Sequence, residues 1–132
     1  MLNRSVLIGR LTKDPEVNIS KKGDRERAAA RFTIAYNHRY RKGEEWIEEP
    51  HFFDVKVFGN LAKVVGERYH KGDMVFVEGR LSQDRWETEE GQRRSRITIV
   101  ADTVRLIRAK EGTVTVEDAN GKGGEEEEDV EI

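Results

Sequence analysis

Only one stretch of this chain is patterned as a helix, and it falls between segments that alternate as strands. Leu61, Val64 and Val65 form an i, i+3, i+4 stripe, with Asn60 at the N-cap position and Gly72 where a C′ glycine belongs. Gly66 inside it costs roughly 1 kcal/mol relative to alanine. On the N-terminal side, residues 5–11 are β-rich and close on the turn Lys13-Asp14-Pro15-Glu16. A short extended piece follows at 16–19, then a turn built on Gly23 within residues 20–24. Residues 27–36 make the next strand. Their three alanines favour helix, but Phe32-Thr33-Ile34 is β-type and the run is short. Residues 38–49 read as a polar hairpin tip containing Gly43. Residues 52–58 alternate, with Phe53, Val55 and Val57 on one face and Phe52, Lys56 and Phe58 on the other. After the helix come a strand at 74–83, a loop around Gly91 at 87–93, and a long strand at 95–107 with a bulge expected near Ala101-Asp102.

Three strands, a helix and two strands is the element order of an all-β OB-fold, a five-stranded Greek-key barrel with one helix between strands 3 and 4. Phe32, Phe53 and Phe76 are assigned to its core. Such barrels bind oligonucleotides or oligosaccharides on one sheet face and its flanking loops. The fold alone does not fix the function, so the side chains on that face must carry the case.

Charge divides the chain in two. Residues 1–110 hold 23 Lys+Arg and 17 Asp+Glu, a net of +6, whereas residues 111–132 hold one Lys and nine Asp+Glu, a net of −8. The division separates an OB domain over 1–110 from an acidic tail over 111–132. The tail reads as flexible and disordered, because Gly112, Gly121, Gly123 and Gly124 punctuate a charged run with no core pattern. A brief strand at 113–116 is the alternative at that boundary. A basic body suggests a polyanionic partner. The tail must solvate, meet another protein, or lie on the body's own basic surface. No apolar run approaches the ~20 residues of a membrane helix, so no membrane partner is expected. Met1-Leu2-Asn3-Arg4 does not read as the start of a secretory signal. The absence of cysteine excludes disulfides and thiolate metal sites and fits a reducing cytoplasm.

Binding a single strand of nucleic acid requires rings that stack on bases and cations that follow phosphates. The candidate rings are Tyr40, Trp46, Phe52, Phe58 and Trp86. Phe52 and Phe58 share their strand face with Lys56, and a phenylalanine beside a lysine does not face a core. Trp86 follows Arg85 at the mouth of a hairpin that also carries Arg93, Arg94 and Arg96. Tyr40 lies between Arg39 and Arg41, with Lys42 next. Phe58 taken alone fits strand packing as well as it fits stacking. Trp46 reads as hairpin packing, because Glu44, Glu45, Glu48 and Glu49 crowd it and repel phosphate.

An enzyme finds little to work with. His38, His51 and His70 lie in no metal or nucleophile motif, although His38 and His51 are placed to face each other across the second hairpin as a surface pair. The glycines do not form a phosphate loop. No carboxylate stands in an apolar setting that would shift its pKa. No cofactor and no metal are implied.

Several of these segments together resemble the bacterial-type single-stranded DNA-binding protein (SSB) family across about residues 1–110. The resemblance rests on residues 3–17 with Gly9-Arg10-Leu11 and Asp14-Pro15-Glu16-Val17, on Phe32-Thr33-Ile34-Ala35, and on Val57-Phe58-Gly59-Asn60-Leu61-Ala62. It continues through Lys71-Gly72-Asp73 and Val77-Glu78-Gly79-Arg80-Leu81 to Trp86. It implies base stacking at Tyr40, Phe52, Phe58 and Trp86, with Tyr40 and Phe52 standing where tryptophan is common. It implies basic contacts at Arg4, Lys56, Lys71, Arg85 and Arg96, and a homotetramer formed partly by pairing first strands over residues 2–7. The family tail ends in acid followed by a Pro-Phe tip that docks partners. Here the acid is present and Val130 and Ile132 supply apolar side chains, but the Pro and the terminal Phe are missing. Asp129, Val130 and Ile132 are the candidate contacts to replication and repair proteins, with a solubilising tail that competes with DNA as the other reading.

The expectation is a non-enzymatic, sequence-tolerant binder of single-stranded DNA in replication, recombination and repair, cytoplasmic and associated with the nucleoid. An RNA-binding OB module and a structural subunit whose sheet face binds protein are the alternatives.

Overall fold

Two glycines fix the pairing of half the sheet. Gly23 and Gly43 each have φ of 66° and each leads a two-residue turn, the arrangement of a type II′ hairpin. The structure, a computed structural model, describes residues 1–110, so the acidic tail and the strand expected at 113–116 lie outside the described residues. Its elements are β1 (Ser5–Leu11), β2 (Glu16–Lys22), β3 (Arg25–Lys42), β4 (Glu45–Phe58), α1 (Asn60–Arg68), β5 (Met74–Glu87) and β6 (Arg93–Arg108).

β1 pairs with β5 from Ser5↔Gly79 to Arg10↔Met74 and meets β3 only at Arg10↔Ala35 and Leu11↔Ile34. β4 and β6 pair in parallel, Asp54–Lys56 against Thr98–Val100. The strands therefore close in the order β1-β5-β6-β4-β3-β1, the connectivity of an OB barrel. The piece expected as a short extended stretch is a full strand, β2, paired to β3 from Glu16↔Arg31 to Lys22↔Arg25. The helix accordingly follows the fourth strand in chain order, with β2 lying outside the five-strand barrel. The bulge falls where expected: pairing jumps from Glu78↔Thr103 to Gly79↔Ala101 and skips Asp102.

Four strand ends run further than the sequence pattern suggests. β3 and β4 pair continuously from Ala29↔Phe58 to Lys42↔Glu45, so the polar tip is only Gly43-Glu44. β5 and β6 likewise extend to Glu87↔Arg93. Past the barrel these are two-stranded ribbons. They bury little, but each strand supplies the other's backbone hydrogen bonds, which polarity along the sequence does not reveal.

The core contains Leu11, Phe32, Ile34, Val55, Val57, Val75, Val77, Ile99 and Val104, with Ala62 and Val65 from α1. Fully burying each valine contributes about 1.5–3 kcal/mol. Ala28 and Ala30 are buried in the same cluster, while Ala29 between them is on the outward face. The alanine run is thus small core residues on a strand rather than a helix. Gly79 is required by proximity: a Cβ there would collide with the Val100 carbonyl and the Ala101 backbone beside the bulge.

Two helix signals are corrected. Gly59, not Asn60, is the N-cap, with φ of 70° and no side-chain cap, and its N–H donates to Ala28 O at 2.9 Å. The helix ends at Tyr69 rather than running to a C′ Gly72, because Tyr69 turns extended and buries its ring, its hydroxyl donating to Val104 O at 3.2 Å. Gly72, at φ 91°, instead donates to Leu11 O at 2.8 Å in the turn before β5.

Candidate nucleic-acid interface

In an antiparallel pair, residues opposite one another point to the same side. Along β3 and β4 the pairs Phe32↔Val55 and Ala30↔Val57 face the core. The outward set is therefore Ala29↔Phe58, Arg31↔Lys56, Thr33↔Asp54, Ala35↔Phe52, Asn37↔Pro50, Arg39↔Glu48 and Arg41↔Trp46. Phe52 is 60% exposed and Phe58 55% exposed, on a strand whose opposite face holds the fully buried Val55 and Val57. Two large rings facing water on either side of Lys56 serve no core.

The face continues across β6 onto β5. Lys56 Nζ lies 3.1 Å from Asp84 Oδ2, Arg96 Nη1 lies 4.0 Å from Asp54 Oδ2, and Arg96 Cζ stands 5.5 Å from the Trp86 ring centroid. Trp86 pairs with Arg94, on the side of the β5–β6 ribbon that also carries Asp84 and Arg96. Phe52, Phe58, Trp86, Lys56 and Arg96 are thus brought onto one surface. A groove of about 470 Å³ runs over it, bordered by Glu16 and Val17 and floored by Arg31, Lys56 and Phe58. A second hollow, sharing Glu16, Arg31 and Lys56, carries it to Lys13, Asp14 and Arg96. Exposed ion pairs contribute about 0–1 kcal/mol, so a phosphate can replace Asp84 or Asp54 at little cost.

The other expected residues sit elsewhere. Tyr40 has the parity of Phe32 and Ile34, so it occupies the opposite side of the β3–β4 ribbon. There it stacks on His38, with centroids 5.6 Å apart, and His38 stacks on His51 at 5.1 Å, as the cross-hairpin pairing of the two histidines anticipates. Tyr36 flanks both histidines at 6.4 Å. Arg85 points away from Trp86, its Nε and Nη2 donating to Gln83 Oε1 at 3.2 and 2.9 Å. Arg4 is committed to two carboxylates, Glu78 and Asp102, each at 2.8 Å. That pairing raises the guanidinium pKa further, chiefly through the hydrogen bond it donates to Asp102, and lowers that of Asp102. Lys71 lies in the turn after α1, its backbone N–H held by Asp14 Oδ1 at 2.7 Å near the groove's end. Asp129, Val130 and Ile132 lie outside the described residues.

Three assignments change. Phe76, expected in the core, is only half-buried: it lies between Val75 and Val77 on β5, and because those two fill the core, alternation turns Phe76 to the other face. Phe53, expected in the core, is 38% exposed: it has core parity, but it lies where β4 leaves the barrel and pairs only with β3. Trp46, read as hairpin packing, is 62% exposed and shares the outward face with Phe52 and Phe58. Arg31 went unnoticed in the sequence. It directly precedes the inward Phe32, so strand alternation alone turns it outward.

The description "Single-strand binding protein family" matches the chain over residues 2–107. This chain belongs to that family. Among single-strand binding proteins, it is 46% identical over 113 residues to the single-stranded DNA-binding protein of Aquifex aeolicus, covering 85% of this chain and 74% of that one. The Treponema pallidum protein of the same name is 42% identical, over 80% of this chain and 58% of its own length. That of Borreliella burgdorferi is 33% identical over 98% of this chain and 87% of its own. The matched region takes in every strand that builds the outward face, so the rings and cations described here belong to the family domain itself. Among the described residues, no helix is long and apolar enough to cross a membrane, and no group of His, Cys, Asp and Glu could hold a metal ion.

Proposed function

We propose that this chain binds single-stranded DNA with little regard to sequence, stacking bases on Phe52, Phe58 and Trp86 and following phosphates with Arg31, Lys56 and Arg96. Tyr40 joins from the far side of the ribbon if the strand wraps its edge. The observation that carries this is the pair of exposed rings, Phe52 and Phe58, flanking Lys56 opposite a sealed core. Every base offers a π-face, so stacking tolerates sequence. Membership of the family and the names of the relatives support the same ligand. The work is binding and protection, without a reaction or a cofactor.

The finer roles follow as part of the proposal. Among the described residues β1 has an open edge over Ser5–Ile8, because it meets β3 only at Arg10 and Leu11, and Val6 on that stretch is exposed. An open edge invites strand pairing with a second copy, and a homotetramer would place several sites on one DNA. The acidic segment 111–132 competes with phosphates for the basic body and offers Asp129, Val130 and Ile132 to replication, recombination and repair proteins. The site of action is the cytoplasm, at the nucleoid.

Tryptophan emission and the anisotropy of a labelled oligo(dT), followed together at low and high salt, test the reading. Quenching with salt-sensitive binding is expected, and deoxy oligomers should bind at least as well as ribo oligomers. Absence of binding at low salt refutes the reading, and a clear preference for the ribo strand moves it to RNA.

A further inference from the structure

Trp46 stands at the hairpin tip with no part in the core. The four glutamates around it in sequence argue against a nucleic-acid contact, but the pleat separates them. Glu45 pairs with Lys42 and Glu49 with His38, both on the side of the ribbon that carries Tyr40. Glu44 lies in the turn, and Glu48 is the one carboxylate on the Trp46 side. That side holds two arginines, with Arg39 Cζ 5.3 Å and Arg41 Cζ 6.0 Å from the Trp46 ring centroid. Arg39 touches Glu48 only at 3.7 Å, and Arg41 Nε donates to the Gly43 carbonyl at 3.1 Å.

We propose that Trp46, Arg39 and Arg41 form a further single-stranded DNA site at the tip of the β3–β4 ribbon. A base stacks on the indole, and the two guanidiniums, which lie over the ring in the free chain, turn to the flanking phosphates. This rests on the reading that the outward face binds DNA. Tryptophan offers the largest stacking surface of any side chain, and a guanidinium fork matches phosphate oxygens in a way a lysine does not. The site lies in line with the others: Trp46, Phe52 and Phe58 share one face of β4 at intervals of six residues, about 20 Å each at the strand rise. The β4 part of the track, about 20 Å from Phe58 to Phe52, is thereby about doubled, onto a ribbon that among the described residues packs only against its partner strand.

The chain has two tryptophans, so Trp86→Phe leaves Trp46 as the sole indole emitter. The test titrates this variant with labelled oligo(dT), reading Trp46 emission and oligomer anisotropy together, and compares Trp46→Ala with the unaltered chain. Trp46 emission should quench in step with the anisotropy, and Trp46→Ala should weaken binding by about tenfold. Replacing both Arg39 and Arg41 by Gln should flatten the salt dependence. Anisotropy that reports binding while Trp46 emission is unmoved and Trp46→Ala binds as the unaltered chain does overturns the tip site and leaves the rest of the face intact. Failure of the unaltered chain to bind overturns both.

Discussion

Lys56 Nζ sits 3.1 Å from Asp84 Oδ2, tying β4 to β5 across the β6 strand that separates them. Thr98, buried on that intervening strand, donates weakly to the same oxygen at 3.5 Å. The cation at the centre of the candidate face is therefore half-neutralised by its own scaffold. Asp84→Asn should tighten oligo(dT) binding at low salt, because it removes a negative charge and frees Lys56. The gain should fade at high salt, where exposed charges are screened. Loss of stability should stay within about 1 kcal/mol. Anisotropy titrations at two salt concentrations check it, and equal affinities at low salt would show that Asp84 does not restrain Lys56.

Removal of the exposed rings should cost binding and not folding. Trp86→Ala, Phe52→Ala and Phe58→Ala should each weaken binding by roughly 1–3 kcal/mol per engaged base. Their thermal midpoints should stay near that of the unaltered chain, since Phe52 and Phe58 are more than half exposed and Trp86 is 42% exposed. Tyr40→Ala should cost less, because Tyr40 occupies the other side of its ribbon. Urea denaturation alongside each titration separates the two effects.

Gly79→Ala should do the reverse. The new methyl meets Val100 O and the Ala101 backbone, neither of which can rotate away. A destabilisation of about 1–3 kcal/mol is expected, read as a lower urea midpoint, with DNA affinity retained in the folded fraction.

Acid should loosen the Arg4 junction. Hydrogen bonds from Arg4 and then Thr103 hold the Asp102 carboxyl below its ordinary range. A carboxyl whose folded pKa is depressed contributes stability above its unfolded pKa, and that contribution is lost as pH falls through the folded value. The window therefore lies at and below the ordinary aspartate range. In Arg4→Gln the Asp102 midpoint, followed by carboxyl-carbon NMR, should rise toward normal; an unchanged midpoint would mean the pair does not persist in solution. The same variant should cost less DNA affinity than Lys56→Gln, because Arg4 already faces two carboxylates.

What was legible in the sequence was whatever the core enforces. Phe52, Lys56 and Phe58 were placed outward correctly because Val55 and Val57, between them, had to be inward. The bulge at Asp102 and the helix between strands were legible for the same reason. Phe76 is the exception inside the barrel, where Val75 and Val77 take the inward parity of β5; the other misplaced strand residues lie where the core stops. Phe53 has the right parity and the wrong depth, since no pattern in β4 marks the end of the barrel. The ribbons looked like loops because their stabilising partners, such as Arg39 opposite Glu48, are polar and non-local. The sides taken by Trp46 and Tyr40 were not legible because the register of a hairpin depends on its turn. Once Gly43-Glu44 is known to be a two-residue turn, Lys42 must face Glu45 and every side follows.

The sorting of charge by the pleat gives the β3–β4 tip two different electrical identities. Between residues 39 and 49 it carries three Lys+Arg and four Asp+Glu, close to cancellation. From beyond a Debye length, roughly 10 Å at 0.1 M salt, an approaching strand meets an almost neutral object and is not steered toward it. On contact it meets one side with Arg39 and Arg41 and another with Glu45 and Glu49. A strand-binding tip of the kind proposed would therefore add little to the rate of encounter and would act on the lifetime of a complex already formed, and only for a polymer laid along the correct side.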